Sequence, residues 1–339
     1  MEKHSFPFFE GDPAGLHVGH FTDSRRPTGC TVLLCPQGAV AGVDVRGAAP
    51  GTRETDLLAP VNSVQQVHGL VLAGGSAFGL DAASGVMRWL REHGHGLPVG
   101  PVRVPIVPAA VVFDLWVDDF AQPGGSGVFP DADAGYAACE HAMQAGSRAQ
   151  GNVGAGAGAT VGKLNGPDCA MKGGIGHAAL QVDGFTVSAW VVCNAVGDVI
   201  DPRSGRLIAG ARTAADQLQL WDAVTSHLQG KAGACPTLGS NTTIGVIATD
   251  AVLTKVQASR LAQAGHDGLA RSIRPVHTAL DGDTLFALAT GQRVGDVDLM
   301  RLSMAAAEVT AQAVLNAVHA ATSLRLGGRW WPAARDLPA

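Results

Sequence analysis

Apolar residues along the chain form short β-branched runs and longer stripes at helical spacing, in irregular alternation. The runs predict strands over residues 31–45, 67–73, 104–115, 178–193, 243–249 and 284–288. The stripes predict helices over residues 79–93, 131–149, 211–227, 253–272 and 298–321. Residues 229–240 are rich in small residues, Gly and Pro, which is typical of a surface loop. Because strands and helices mix without regular βαβ spacing, the pattern indicates a layered α+β or mixed α/β fold.

A small polar turn leads directly into one of the predicted strands. Gly239, Ser240, Asn241 and Thr242 lie just ahead of the apolar run Ile-Gly-Val-Ile-Ala. Hydroxyl residues at a strand start are usually turn residues, and this segment alone favours that interpretation. The alternative is a latent nucleophile, which the chain exposes as a new N-terminus by cutting itself. The freed α-amine, whose ordinary pKa is about 7.7–8.0, is then a base beside the hydroxyl.

The glycine-rich segment 151–163 ends in Lys163 and superficially resembles a phosphate-binding loop. A P-loop requires Gly at the position of Ala157 and Ser or Thr at the position of Leu164, so the match fails. We expect instead a tight backbone passage that delivers Lys163 to a crowded place. The turn at residues 74–80 lacks the Gly-x-Ser-x-Gly pattern of a nucleophile elbow, and its glycines are expected to support close packing.

Polar residues at other strand ends are further candidates for residues of a functional site. Asp281 and Asp283 flank one glycine just before the strand at 284–288. Two carboxylates on a tight turn are ordinary Asx-turn chemistry or, beside a new N-terminus, groups that hold its ammonium and hydroxyl. Asn194 ends another strand, where its amide is a turn former or a donor to an oxyanion. The histidines show no ligand spacing, so no metal site is expected.

Composition and charge narrow the classes of partner. The 339 residues are 46% hydrophobic and 16% charged, with a net charge of −5. This balance gives no general attraction to nucleic acid or anionic membrane. The first residues lack a signal-type apolar run, and Gly, Pro or charge interrupts every apolar stretch before the length of a membrane span. Six scattered cysteines without C-x-x-C spacing are expected to be reduced thiols in a cytoplasmic protein.

Three longer motifs carry a resemblance to a known family. They are NTTIGVIATDA at residues 241–251, HTALDGDTLFALATG at 277–291 and AGGSAFGLDAASGVMRWL at 73–90. They resemble the autoprocessing peptidase family of L-aminopeptidase/D-esterase/amidases, which also contains β-aminopeptidases and endo-type nylon-oligomer hydrolases. Residues 29–58, 107–115 and 151–163 fit the same family, so the resemblance extends from about His17 to His319.

The resemblance implies an α+β fold, a four-layer αββα sandwich of the N-terminal-nucleophile type, with residues 1–339 forming one domain. It also implies a cut into an α-chain of residues 1–241 and a β-chain of residues 242–339. The family cuts before a Ser or Thr at a strand start, and its nylon-hydrolase branch cuts between Asn and Thr. That pattern falls on Asn241 and Thr242, with the bond between Gly239 and Ser240 as the competing position. Thr242 is favoured because it directly precedes the strand.

By the same resemblance, Thr242 is the nucleophile and four other residues assist it. Asp281 and Asp283 orient its amine and hydroxyl. Lys163 supplies positive charge nearby, and Asn194 donates to the oxyanion. The charge of Lys163 should lower the pKa of the new amine, and the two carboxylates should raise it.

Two positions of the expected substrate pocket depart from the family pattern. Phe113 stands where much of the family has a tyrosine whose hydroxyl assists at the active site. Val111 stands where members that trim free N-termini carry an acidic residue, which holds the substrate amine. The missing acid argues against strict aminopeptidase specificity and leaves room for an endo-acting amidase.

The sequence therefore predicts a hydrolase with an N-terminal threonine that cleaves amide bonds of small peptides or peptide-like oligomers. It is expected to need no cofactor and no metal, and to assemble as a dimer or tetramer of processed heterodimers. Two alternatives stay open: acyl transfer of the ornithine-acetyltransferase type, and an uncut binding protein without catalysis.

Overall fold

The computed structural model describes residues 6–119, 124–144, 147–231 and 239–338. Within these ranges the α-helices are α1 (Ala82–Glu92), α2 (Ala132–Gln144), α3 (Ala223–Leu228), α4 (Lys255–Ser272) and α5 (Leu299–Ala320). The strands are β1 (His17–Thr22), β2 (Gly29–Val45), β3 (Thr52–Arg53), β4 (Val67–Ala73), β5 (Leu97–Val99), β6 (Val102–Val104), β7 (Ala109–Val111), β8 (Thr160–Val161), β9 (Met171–Lys172), β10 (Gly174–Val182), β11 (Phe185–Asn194), β12 (Asp198–Ile200), β13 (Leu207–Ala209), β14 (Thr242–Ala251), β15 (Ile273–Arg274), β16 (Thr284–Arg293), β17 (Leu324–Leu326) and β18 (Arg329–Trp331).

One long strand, β2, belongs to two sheets. Its first half pairs with β1 and β4, and β7 and β3 extend this side, which we call sheet I. Its second half pairs antiparallel with β16, and the order continues through β14 and β11 to β10, which we call sheet II. Within sheet II, β14 and β16 run parallel. A register shift between Leu34 and Ala39 marks the point where β2 passes from one sheet to the other.

Alternate side chains of the strands belong to different apolar layers. Trp190 and Phe286 of sheet II pack with Leu33 of sheet I in a cluster between the sheets. Val191 of sheet II packs with α4 and α5 in a second cluster, and Val71 of sheet I packs with α1 and α2 in a third. Since each sheet is covered on both sides, its strands are apolar on both faces. The three clusters separate four layers, helix, sheet, sheet and helix, which confirms the predicted αββα sandwich.

Most of the predicted elements have counterparts in the structure. The strand over 67–73 is β4, and the helices over 253–272 and 298–321 are α4 and α5. The single strand predicted over 178–193 is instead the hairpin of β10 and β11. Its turn is Asp183-Gly184, with φ values of 51° and 85°. An Asp-Gly pair between apolar runs is a hairpin signal, so the sequence contained this information.

Three predicted elements are wrong in extent. The helix predicted over 131–149 is α2, which ends at Gln144, and residues 147–149 are not helical. The helix predicted over 211–227 begins only at Ala223. The carboxylate of Asp198 accepts from the N–H groups of Ala211 and Ala223 at 2.8 and 3.0 Å, and this tertiary contact replaces the first helical turns. The strand predicted over 104–115 is limited to β7, because Pro105 and Pro108 cannot donate to a ladder. The predicted loop over 229–240 lies partly outside the described residues, as does Cys235.

None of the helices in the described ranges combines the length and the hydropathy needed to cross a membrane.

Candidate functional site

Strand ends in sheet II bring the predicted site residues together. Asn194, the last residue of β11, pairs with Thr242, the first residue of β14. On the other side of β14, the parallel strand β16 starts directly after Asp283. A further bridge joins Asn241 to Asp281. The candidate site therefore lies at the start of the central strand of sheet II.

The peptide bond between Asn241 and Thr242 is buried and closely surrounded. Asn241 is fully buried, and Thr242 is 4% exposed. The Thr242 hydroxyl donates to the carbonyl oxygen of Asn241 at 2.5 Å, and the backbone N–H of Gly282 donates to the same oxygen at 2.9 Å. A Cβ on Gly282 would lie 2.5 Å from the oxygen of Ala49 and 2.9 Å from Oγ1 of Thr242. Only glycine can therefore bring its N–H this close.

A buried lysine fixes the orientation of the Asn194 amide. Lys163 Nζ donates to the backbone oxygen of Asn194 at 2.7 Å and to its Oδ1 at 2.9 Å. The backbone N–H of Thr160 donates to the same Oδ1 at 3.0 Å. The amide nitrogen must then face the other way, where it donates one N–H to the oxygen of Phe113 at 3.1 Å. Burial lowers the pKa of Lys163 to about 7, although the charge of Asp281 opposes this shift.

The two aspartates of the 281–283 turn have different partners. Asp283 Oδ1 accepts from the backbone N–H of Thr243 at 2.6 Å, and its Oδ2 accepts from both the N–H and the ring Nδ1 of His277 at 3.0 and 2.8 Å. Asp281 Oδ2 accepts from the N–H and the hydroxyl of Thr278 at 2.9 and 2.7 Å. Burial, reinforced by the nearby charge of Asp283, raises the pKa of Asp281 to about 6.

The two predicted pocket residues lie in different surroundings. Phe113 accepts from Asn194 through its backbone oxygen, and its ring packs edge-on against Trp116 with ring centroids 5.2 Å apart. Val111 is 4% exposed and packs in the cluster between sheet I, α1 and α2. Phe113 is thus tied to the site through its backbone, whereas the side chain of Val111 belongs to the core. Their roles in substrate binding stay predictions.

The glycine-rich approach to Lys163 is a tight passage. Gly162 has a φ of 73°, which is in the left-handed region that favours glycine. A Cβ there would lie 2.0 Å from the backbone nitrogen of Ala211. The segment therefore delivers Lys163 into the interior, where the residue is 1% exposed.

Sequence reasoning missed three groups that contact the site, namely Gly282, Thr278 and His277. Gly282 stands between the two predicted aspartates, but its contribution is a backbone N–H, whose direction no side-chain pattern reveals. Thr278 and His277 belong to the motif that contains both aspartates. Their position in that motif was the only signal in the sequence for Thr278 and His277. Which donor reaches which carboxylate depends on the loop conformation, which the motif does not reveal.

The chemistry of the site is that of a hydroxyl beside a carbonyl, with N–H donors, a lysine and two carboxylates around it. This set suits nucleophilic attack on an acyl carbon with stabilisation of an oxyanion. Across the described part of the chain, no three His, Cys, Asp or Glu residues lie close enough together to hold a metal ion.

Comparison with a solved structure defines the class. The L-aminopeptidase D-Ala-esterase/amidase of Ochrobactrum anthropi, described as a variant of the Ntn hydrolase fold, matches this structure with a TM-score of 0.67. The two chains are 20% identical, and the match covers 96% of this chain and 93% of that one. The chain therefore has the fold of the N-terminal-nucleophile hydrolases.

Comparison of sequences defines the family. The model of peptidase family S58 matches residues 11–329. An uncharacterized aminopeptidase of Mycobacterium leprae (strain TN) is 44% identical over 342 residues, which cover 92% of this chain and 90% of the relative. A 6-aminohexanoate-oligomer endohydrolase of Paenarthrobacter ureafaciens is 32% identical over 286 residues, covering 83% of this chain and 74% of the relative. The chain belongs to peptidase family S58 and is a hydrolase of peptide and amide bonds, as its resemblance to the autoprocessing peptidases predicts.

Proposed function

We propose that the chain cuts itself between Asn241 and Thr242 and that the new N-terminal threonine then hydrolyses amide bonds of small peptides or peptide-like oligomers. The products of the cut are an α-chain of residues 1–241 and a β-chain of residues 242–339. One observation carries the proposal: the Thr242 hydroxyl lies 2.5 Å from the carbonyl oxygen of Asn241, on which the Gly282 N–H also converges.

Self-cleavage starts with attack of Thr242 Oγ1 on the carbonyl carbon of Asn241. A bond forms between that oxygen and the carbon, and the negative charge that develops on the Asn241 oxygen is stabilised by the Gly282 N–H. The C–N bond between the two residues then breaks, and the hydroxyl proton passes to the departing amine. Water hydrolyses the resulting ester, which leaves a carboxylate on Asn241 and a free amine and hydroxyl on Thr242.

Turnover repeats the same chemistry on a substrate. The Thr242 amine takes the hydroxyl proton while the oxygen attacks the substrate carbonyl; the substrate C–N bond then breaks and the proton goes to the leaving amine. Water hydrolyses the ester left on Thr242, which releases the acid product and restores the hydroxyl. We assign the second N–H of the Asn194 amide to the substrate oxyanion, since the first is bound to Phe113. Lys163 holds that amide in place through Oδ1. Asp281 and Asp283 orient the amine and the hydroxyl.

The competing nucleophile, Ser240, is disfavoured by its surroundings. Its hydroxyl accepts a hydrogen bond from the side-chain amide of Asn241 at 3.2 Å. The Thr242 hydroxyl, in contrast, contacts the carbonyl group of the residue before it, the group that an acyl shift attacks.

Relatives and sequence suggest the substrate class. One relative carries the name aminopeptidase and another the name 6-aminohexanoate-oligomer endohydrolase. Because Val111 offers no charge to a free substrate amine, we propose that unbranched oligomers with internal amide bonds are accepted as well as short peptides.

The described cysteines are free thiols, which agrees with a reducing cytoplasmic setting.

Assembly into a dimer or tetramer of processed heterodimers is part of the proposal. Met300 and Met304 expose 64% and 59% of their surface on α5, so apolar surface is available on that helix. Size-exclusion chromatography with light scattering measures the mass of the assembly, and a monomeric mass contradicts this part alone.

Denaturing intact mass spectrometry tests the cut. Wild type should give two fragments, one ending at Asn241 and one starting at Thr242. Thr242→Ala should give one species of 339 residues. The matched control, Ser240→Ala, should cut like wild type. A single uncut species from wild type, or loss of cutting in Ser240→Ala but not in Thr242→Ala, overturns the proposal.

A substrate panel tests the turnover. Processed enzyme is incubated with short peptide anilides, with linear 6-aminohexanoate oligomers and with acetylornithine plus glutamate. We expect hydrolysis of one of the first two groups and none by Thr242→Ala. Transfer of acetyl to glutamate instead supports the acyltransferase alternative.

A further inference from the structure

We propose that His277 is a positioning residue that sets the orientation of Asp283 beside the Thr242 nucleophile. The inference rests on the proposed function and adds a residue that the chemistry above does not contain. Its basis is a set of contacts that converge on one carboxylate.

Both oxygens of Asp283 are fixed by N–H donors. His277 supplies two of them to Oδ2, its backbone N–H at 3.0 Å and its ring Nδ1 at 2.8 Å. Thr243 supplies a third to Oδ1 at 2.6 Å. Since Asp283 is 1% exposed, water cannot take over these bonds without rearrangement. The ring of His277 is the side-chain donor among these three and, with the two backbone N–H groups, sets the direction of the carboxylate plane.

The backbone of His277 is held in an unusual conformation for this contact. Its φ is 54°, in the left-handed region that few non-glycine residues adopt. Such a conformation is strained and persists where the surroundings impose it. Here it lets one residue present its backbone N–H and its ring to the same oxygen. An outlier of this kind in direct contact with a site residue indicates a function in that site.

The ring of His277 is itself supported from the neighbouring helix. The ring of His266 on α4 meets it edge-on, with centroids 4.8 Å apart. His266 is anchored in turn, because its Nε2 bonds to the backbone oxygen of Asp44 on β2 at 3.0 Å. A carboxylate only accepts, so the hydrogen of the His277 ring lies on Nδ1. The chain of contacts from β2 through α4 thus keeps this donor aimed at Asp283.

The orientation of Asp283 matters because of what its other oxygen reaches. Oδ1 binds the N–H of Thr243, the residue next to the nucleophile. After the cut, the new amine belongs to Thr242, one residue earlier in the chain. If the Asp283 carboxylate rotates, its oxygens change position relative to the Thr242 amine. Both the self-cleavage and the turnover should then slow.

Two variants separate the ring donor from the backbone conformation. His277→Asn keeps a side-chain N–H near the position of Nδ1, and asparagine tolerates positive φ. His277→Gly also tolerates positive φ and keeps the backbone N–H, but it removes the side-chain donor. The matched control is Asp183→Gly, which makes the same kind of change at φ 51° in the hairpin turn of β10 and β11. All are followed by pulse-labelled synthesis, intact mass and steady-state kinetics of the processed enzyme.

We expect His277→Gly to slow self-cleavage and to lower kcat on the order of tenfold or more, with little change in KM, because the loss is one of orientation. His277→Asn should recover most of both rates, and Asp183→Gly should match wild type. Wild-type rates in His277→Gly, or equal losses in the Asn and Gly variants with unchanged melting temperatures, overturn the role of His277. In either case wild type still cuts at Thr242, so the proposed function stands. A wild type that is not cut overturns both.

Discussion

Gly282→Ala is the substitution with the sharpest structural expectation. The new Cβ would lie 2.5 Å from the oxygen of Ala49 and 2.9 Å from Oγ1 of Thr242, closer than Cβ atoms come in folded proteins. Ala49 cannot retreat freely, because its N–H donates to the oxygen of Asp281 at 2.9 Å. The turn at 281–283 must therefore move. That movement takes the Gly282 N–H away from the oxygen of Asn241.

Two magnitudes follow from this displacement. Overpacking of a buried contact costs about 1–3 kcal/mol of unfolding free energy. Removal of one oxyanion donor lowers a rate by about 100-fold to 1,000-fold. Gly282→Ala should thus fold with reduced stability and cut itself at least about 100-fold more slowly than wild type.

The assay compares the rate of the cut with the stability of the fold. Pulse-labelled protein is sampled over time, the cut fraction is measured by intact mass, and urea unfolding is measured in the uncut Thr242→Ala background. The matched control is Gly268→Ala, whose Cβ would lie 2.4 Å from the oxygen of Ala307 between α4 and α5. It should lose similar stability and still cut at the wild-type rate. Fast cutting by Gly282→Ala, or equal slowing of Gly268→Ala, refutes the reasoning.

Three further predictions concern the charged groups and the pocket. Lys163→Met removes both Nζ hydrogen bonds to Asn194 and leaves its Oδ1 held by the Thr160 N–H alone. The amide is then less firmly oriented, so kcat should fall about tenfold or more; an unchanged kcat contradicts this role. In the uncut Thr242→Ala background, Asp281→Asn should gain unfolding free energy relative to its parent as the pH rises from about 5 to about 8. The reason is that the folded pKa of Asp281, about 6, lies above its ordinary 3.8, so its contribution to stability is present at low pH and lost as the pH passes the folded value. Urea unfolding at several pH values measures this, and a constant difference contradicts it. Phe113→Tyr restores the hydroxyl that much of the family carries at this position and should raise kcat on the best substrate; a lower or equal kcat shows that no oxyanion lies within its reach.

The sequence by itself determined the layers and the nucleophile candidate. Strands β4 and β14 contain apolar, β-branched runs and are buried throughout, and helices α4 and α5 show a regular apolar stripe, so local pattern was enough to place them. Long motifs around Thr242 and the 281–283 turn were specific enough to identify the family. Local pattern failed where a contact with a residue distant in sequence decides the conformation. The segment before α3 was predicted to be helical, but the Asp198 carboxylate binds the N–H groups of Ala211 and Ala223 and keeps it out of the helix.

Only the tertiary structure decided how the site residues meet. Asn194, Thr242 and Asp283 are far apart in sequence and come together because β11, β14 and β16 are neighbours in one sheet. The N–H of Gly282 and the ring of His277 reach their acceptors through φ and ψ values that residue identity does not reveal. The lowered pKa of Lys163 follows from burial, which exists only once the chain is folded. Sequence names the reacting groups, but their direction and charge state are properties of nonlocal packing.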